Sequence, residues 1–351
     1  GPPIESDQWP YSYKNSPFEL TLDEQNNSVI TKHGEVVQKV RPCRRPKYYE
    51  QFTSDGVPMS KIGAVTGDFL AVAIDNRCRF WGFYHDDKLT HPREKQCKFC
   101  GIGIHMYRGD EIFRKSTQQI LEVTGAALEG GDINHIAINA GTFPFPDRGH
   151  KYYADLIRAI KDNYDIWVRL SLGPPEDERM VDLLFDAGAD QVGYNLEVYD
   201  PELYKEICPG KFEEVDKGVP HSQFNRILAY SAQRGGPNRT FSILVTGLES
   251  RESTVEGVEH LCKLGVVPRL EIFRPIPGTP LEKHPVPTPE YLVYVYRKLR
   301  ELTIKYGIDS GCAGCGRTFV ATKEYDGRNP LMPQITDEDL KTAGIDIKAC
   351  A

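Results

Sequence analysis

The sequence predicts an α/β protein: an open (β/α)6 partial TIM-type barrel, with a small N-terminal β extension and a loop-rich C-terminal tail. Two observations predict it. Between Phe69 and Tyr306, strand-length apolar runs alternate six times with segments of helical periodicity, the pattern of a parallel sheet with helices outside it. Helix start and stop signals fall between the runs, and six units leave a barrel open on one side.

Residues 1–66 are polar and broken by Pro and Gly. Short alternating runs at 18–22, 28–31 and 36–40 predict a small antiparallel extension and not a full domain. The barrel is expected over 67–307. Its first strand, 69–74, is a continuous apolar run, as expected of a strand covered on both faces. The other strands are expected at 133–139, 166–172, 191–196, 240–245 and 269–274. Helices are expected at 116–128 with Ser116 as N-cap, 151–161, 176–187 closed by Gly188, 201–207, 223–233, 253–264 closed by Gly265, and 289–306 closed by Gly307. Residues 308–351, Gly-rich and polar, are expected to be loops wrapped over the barrel. In such barrels chemistry sits where strand C-termini open into loops.

Composition excludes some function classes. With 351 residues and a net charge of −7, the chain has no broad basic field for nucleic acid or an anionic membrane, and the basic cluster at 41–47 is too short to supply one. No run of about 18 apolar residues predicts a transmembrane helix, and no apolar signal core follows Gly1. Nine cysteines, an odd count with two Cys-x-x-Cys pairs, read as thiols in a reducing, cytoplasmic compartment and not as a disulfide framework.

Three of those cysteines follow the first strand: Cys78, then Cys97-Lys-Phe-Cys100. Three thiolates suit three of the four irons of a [4Fe–4S] cluster, leaving one iron free to chelate a ligand. Phe99 would present an aromatic face to whatever binds there. A structural zinc knuckle or unrelated buried thiols are the plainer alternatives.

Further segments carry a resemblance. They are Asn139-Ala-Gly-Thr142, Tyr194-Asn-Leu-Glu197, Arg226 in Gln-Phe-Asn-Arg-Ile-Leu, Val245-Thr-Gly-Leu-Glu249, and Arg274-Pro-Ile-Pro-Gly-Thr-Pro-Leu281. With the cysteines, they make residues 68–306 resemble the radical S-adenosylmethionine (SAM) superfamily, most of all its biotin synthase-related branch. The resemblance implies that Cys78, Cys97 and Cys100 ligate a [4Fe–4S] cluster whose unique iron takes the amino and carboxylate groups of SAM. It implies that Asn139, Gly141 and Thr142 receive the SAM amino group, and that Asn195 and Glu197 bond the ribose. It pairs Arg226 with the SAM carboxylate, and frames the adenine with Thr246, Gly247 and Ile276. An electron, from a donor such as flavodoxin or ferredoxin, would cleave SAM to a 5′-deoxyadenosyl radical that takes hydrogen from a small-molecule substrate.

The chain departs from the family at two points. The usual spacing is Cys-x3-Cys-x2-Cys, whereas eighteen residues separate Cys78 from Cys97 here. Either an insert loops out between them, the reading preferred because Cys78 directly follows the first strand, or another residue takes the place of Cys78. This aromatic, histidine-bearing insert is expected to cover the cluster or touch the substrate. The segment Asn139–Thr142 also lacks the family's acidic residue, so backbone carbonyls are expected to receive the amino group. Cys312 and Cys315 suggest an auxiliary iron–sulfur cluster, and with it sulfur insertion. A small zinc site or two exposed thiols are the alternatives there. A radical lyase or carbon-skeleton rearrangement with one cluster, and a non-catalytic barrel that carries a cluster, are the rival functions. Cys208 and Cys262 read as packing residues.

Overall fold

Along four of the six barrel strands, large aliphatic residues alternate with small or polar ones. Leu70 and Val72, Ile136 and Ile138, Val168 and Leu170, and Leu270 are buried to about 1% exposure or less. Their neighbours Ala71, Ala137, Ser171 and Glu271 line a central cavity. Successive side chains of a strand point to opposite faces, so the aliphatic set packs under the helices and the other set faces a lumen. The first strand, apolar at every position, sends Leu70 and Val72 under the helices and turns Phe69, Ala71 and Ala73 to the lumen.

The computed structural model describes residues 16–40, 45–81, 93–107, 109–308, 336–342 and 344–346, with 93, 105–107 and 339 by backbone only. Strands β1 (Phe18–Leu22), β2 (Ser28–Lys32) and β3 (Glu35–Lys39) form a separate antiparallel sheet, as the N-terminal runs predict. The main sheet holds β4 (Ala64–Thr66), β5 (Phe69–Ala73), β6 (His135–Asn139), β7 (Trp167–Ser171), β8 (Gln191–Gly193), β9 (Thr240–Thr246) and β10 (Val267–Ile272). They stand in chain order, with β4 antiparallel to β5 and the rest parallel. β4 and β10 are the two edges and do not pair, which makes the expected open (β/α)6 barrel. β4 itself is an edge that the sequence reading missed, because three residues are too few to show a period.

The helices are α1 (Ile102–Tyr107), α2 (Thr117–Glu129), α3 (His150–Asn163), α4 (Met180–Asp186), α5 (Pro201–Ile207), α6 (Ser222–Gly235), α7 (Arg251–Lys263), α8 (Pro289–Tyr306) and α9 (Asp337–Thr342). Ser116 caps α2 in a full capping box: its hydroxyl accepts from the Gln119 amide, and the Gln119 side chain accepts from the Ser116 amide. α4 is shorter than expected. Pro174 and Pro175 precede it, and the Asp177 carboxylate captures the Arg179 amide in a turn that delays the helix. α9 puts a helical turn in the tail, where only loops are expected. Among the described residues no helix is long and apolar enough to cross a membrane.

Two buried histidines tie loops to the barrel. His150 Nδ1 donates to the Asp147 carbonyl, and its Nε2 accepts from the Tyr194 hydroxyl at 2.9 Å. His221 Nε2 donates to the Val198 carbonyl at 2.7 Å. Burial lowers both pKa values from 6.5 to about 4. A histidine whose folded pKa is depressed contributes stability that is full above about pH 6.5 and is lost as pH falls towards 4. Urea unfolding at pH 7 and pH 5 is expected to show a loss of about 1–2 kcal/mol per histidine, and His150→Gln is expected to flatten that fall.

Candidate cluster and cofactor site

The loop after β5 carries Cys78. The loop before α1 carries Cys97, Phe99 and Cys100. Although the chain between them is long, their ends meet: the buried Trp81 indole N–H donates to the Cys100 carbonyl at 3.2 Å, and the Trp81 amide donates to the Cys78 carbonyl at 2.8 Å. The loop after β6 closes on the same place. A Cβ on Gly141 would lie 2.3 Å from the Arg77 carbonyl oxygen and 2.7 Å from the Cys78 Cα, so only glycine allows that approach. The Thr142 amide and hydroxyl bond the Cys78 sulfur, while burial pushes its thiol up. Burial also pushes the Cys100 thiol up, helped by its neighbour Cys97.

All three sulfurs line one cavity of about 720 Å³, and none is in a disulfide. Among the described residues no three His, Cys, Asp or Glu side chains gather to hold a single ion. Three thiols spread around a shared cavity suit a polynuclear cluster held at its corners, an all-sulfur donor set appropriate to iron–sulfur ligation.

A segment between α5 and α6 packs against the cysteine loop. The Lys98 amide donates to the Ile207 carbonyl at 2.9 Å, Lys98 pairs with Glu206, and Lys95 pairs with Glu214 at 2.8 Å. Gly210 lies so close that a Cβ would sit 2.5 Å from the Lys95 carbonyl oxygen. This segment brings two groups to the site. Cys208 is buried, as a packing residue would be, but it also hydrogen-bonds Cys97; that bond and Lys211 hold the Cys97 thiol below the usual range against the effect of burial. Lys211, in a π turn (Lys211–Val215), donates to Glu197 Oε1 at 2.7 Å and to the Asn195 carbonyl at 3.1 Å. Burial would lower the Lys211 pKa, but Glu197, Cys97 and Cys208 outweigh it and raise the value. Glu197 itself has φ +70°, a conformation uncommon for a side-chain-bearing residue, at the point where its chain leaves β8 to bridge to Leu244.

The motif after β10 completes the rim. Gly278 turns with φ +86°, the Thr279 hydroxyl donates to the Ile276 carbonyl at 2.7 Å, and the Leu281 amide donates to the Lys98 carbonyl. Ile276 packs within 3.1 Å of where a Gly101 Cβ would be.

Of the residues singled out from sequence, Cys78, Cys97, Phe99, Cys100, Asn139, Gly141, Thr142, Asn195, Glu197 and Ile276 all line this cavity. Thr246 and Gly247 do not. Thr246 is buried on the outer face of β9 and Gly247 packs on Pro287, while Val245 takes the inward position. Arg226 does not line the cavity either. On α6, Gln223, Phe224, Ile227 and Leu228 are buried, which leaves Arg226 facing solvent. It pairs there with Glu178 at 2.7 Å and donates to the Glu176 carbonyl. Lys211 is a cation that does line the cavity, and a lysine in a charged turn offers no sequence signal for it. Arg169, Arg269 and Glu271 also line the cavity. Charges inside otherwise apolar strand segments, Val-Arg-Leu and Arg-Leu-Glu-Ile, were the signal for those. Cys312, Cys315 and the middle of the 79–96 insert lie outside the described residues.

A family model described as the radical SAM superfamily matches residues 94–262, from the cysteine loop to near the end of α7. The chain carries a radical SAM domain. Over 231 residues it is 31% identical to the bacteriochlorophyllide c C-7(1)-hydroxylase of Chlorobaculum limnaeum, covering 60% of this chain and 56% of that protein. Over 205 residues it is 26% identical to the biotin synthase of Porphyromonas gingivalis, covering 57% and 58%. The chain therefore spans just over half the length of these curated relatives. Among solved structures, the FeFe-hydrogenase maturase HydG from Carboxydothermus hydrogenoformans superposes with a TM-score of 0.50 at 15% identity, over 73% of this chain and 55% of that one, a likeness of fold alone. The radical SAM superfamily implies a [4Fe–4S] cluster and SAM.

Lys211 and Arg226 separate two assignments of the cation in this domain. Lys211→Met strands the Glu197 carboxylate in a buried site and is expected to cost about 3–5 kcal/mol of stability in urea unfolding. Arg226→Ala breaks only an exposed pair and is expected to cost no more than about 1 kcal/mol. It is also expected to leave SAM affinity unchanged in calorimetric titration.

Proposed function

We propose that the protein is a radical SAM enzyme that holds a [4Fe–4S] cluster on Cys78, Cys97 and Cys100, binds SAM beside it, and removes hydrogen from a small molecule in the lumen. The observation that carries this reading is the convergence of three free thiols and the Asn195–Glu197 pair on one cavity at the C-terminal mouth of the barrel. When bound, the cluster supplies the electron and SAM the 5′-deoxyadenosyl radical.

The chain's own residues prepare the site for this. Lys211 uses one oxygen of Glu197, and the other remains to accept from a ribose hydroxyl. Asn139 makes no side-chain hydrogen bond among the described residues, so its amide oxygen is the acceptor for the SAM amino group where the family has a carboxylate. Gly141 lets that loop reach the cysteines, and Ile276 with Gly101 offers an apolar face to the adenine. Lys211 and Arg274 are cations that line the cavity and are available to a carboxylate there. Phe99 and Phe273 narrow the cavity beside Cys97 and keep water from the reacting centre.

In this reading residues 67–307 are the catalytic barrel, flanked by 1–66 and 308–351. A small reductant protein of the flavodoxin or ferredoxin type delivers the electron, and the reducing cytoplasm is the setting. The relative named as a hydroxylase supports hydrogen removal from carbon. Sulfur insertion is the finer version, and it requires an auxiliary cluster on Cys312 and Cys315.

Anaerobically reconstituted protein, given SAM and dithionite, is expected to form 5′-deoxyadenosine by liquid chromatography. Cys97→Ala is expected to lose both this product and the cluster absorbance. A wild-type protein that keeps its cluster yet forms no 5′-deoxyadenosine is a cluster-carrying scaffold. Iron analysis settles the subtype: about eight irons per chain supports the sulfur donor, and about four excludes it.

A further inference from the structure

Arg169, Lys211, Arg269 and Arg274 are the cationic side chains described on the wall of the cavity. The protein itself engages the first three. A lysine carries three donors. Lys211 spends two on Glu197 Oε1 and the Asn195 carbonyl, and its charge lies 5.1 Å from the Phe224 ring centroid. Arg269 donates to Gln191 Oε1 at 2.8 Å and faces the Phe241 ring, and Arg169 lies against the rings of Phe69 and Phe241. Arg274 stands apart: among the described residues its guanidinium makes no hydrogen bond, ion pair or ring contact. Two carboxylates on the same stretch of chain leave it unpaired. Glu271 feels its charge yet forms no ion pair with it, and Glu282 Oε2 accepts from the Gly278 amide at 2.8 Å instead.

The stem of Arg274 is fixed, although its side chain is exposed at the mouth. The Phe273 amide donates to the Thr246 carbonyl at 3.0 Å, and the Phe273 ring is buried against His284. Pro275 follows, and a residue before proline is held to extended backbone. Alternate side chains of an extended chain share a face; Arg274 and Ile276 line the cavity, and Pro275 between them does not. Ile276 in turn packs 3.1 Å from where a Gly101 Cβ would be, next to Cys100. Alternate residues of an extended chain lie about 7 Å apart, so Arg274 rises from the chain close to the thiol loop.

We propose that Arg274 is the carboxylate-binding residue of this cavity. A guanidinium presents parallel N–H donors that match the two oxygens of a carboxylate. The assignment rests on the radical SAM reading above and sharpens it, because it selects Arg274 over Lys211, whose donors are already placed. Seating an acid on an unpaired cation also avoids breaking an existing buried pair. Two carboxylates qualify by the same chemistry: that of SAM, and that of an organic acid substrate in the lumen.

The test is calorimetric titration of reconstituted protein with SAM and decarboxylated SAM, and then, on protein saturated with SAM, with hexanoate and hexanamide. Arg274→Met is expected to weaken binding of SAM or of hexanoate roughly tenfold or more, the worth of a hydrogen bond to a charged group. The carboxylate-free counterpart of that ligand is expected to bind as before. Arg274→Lys, which keeps the charge and loses the fork, is expected to recover part of the loss. Loss confined to SAM assigns the cofactor's carboxylate to Arg274, and loss confined to hexanoate assigns the substrate's. Unchanged affinity for both carboxylate ligands, or equal losses with and without the carboxylate, would overturn the assignment. Where wild type binds no hexanoate, the SAM arm alone decides. Both variants alter an exposed side chain and are expected to melt as wild type does. Cluster absorbance and 5′-deoxyadenosine formation by wild type, read on the same preparation, report separately on the radical SAM reading.

Discussion

The cysteine loop rests on a backbone contact that admits no side chain. Gly141, at the end of β6, comes so near the Arg77 carbonyl and the Cys78 Cα that a methyl group there would overlap both. Trp81 fastens the other side, joining the Cys78 turn to Cys100 through its indole N–H. Together these contacts close a site across an insert that, by length alone, would let its two ends drift apart. The apolar surface of Trp81, packed among Cys78, Cys100, Ile102, Ile104 and Phe113, supplies the burial that holds the turn in place.

Charge is the second constraint. Glu197, Lys211, Glu271, Arg169 and Arg269 all line one cavity. Groups of this kind are seldom buried unless paired, because desolvation costs several kcal/mol per ion. The chain resolves part of this cost internally: Lys211 joins Glu197 to the backbone of Asn195, and aromatic rings receive both floor arginines. Glu271 is the group for which the described residues supply no hydrogen bond.

Much of this was legible in the residues. Strand and helix order, the Ser116 capping box, the Gly307 stop and the three N-terminal strands follow from local chemistry, since caps, turns and periodicity act within a few residues. Ten of the candidate site residues lie on one cavity because strand C-termini in a barrel open towards a common point. Arg226 lies outside that cavity, since a motif position does not say which way a helix turns its side chains. The sheet-facing residues Phe224 and Ile227 decide that, and they leave Arg226 to Glu178. Cys208 looked like filler because its partner Cys97 is more than a hundred residues away.

The sequence by itself determined the alternation of strands and helices, the thiols available and the glycines that permit close approach, all properties of short stretches of chain. Tertiary structure alone decided which charges share a space. It set Lys211 on Glu197, Cys208 on Cys97, and Glu271, Arg269 and Arg169 on one cavity. The reason is physical: a barrel lumen is assembled from single inward residues of strands distant in the chain, so its electrostatics exist only once the strands stand side by side.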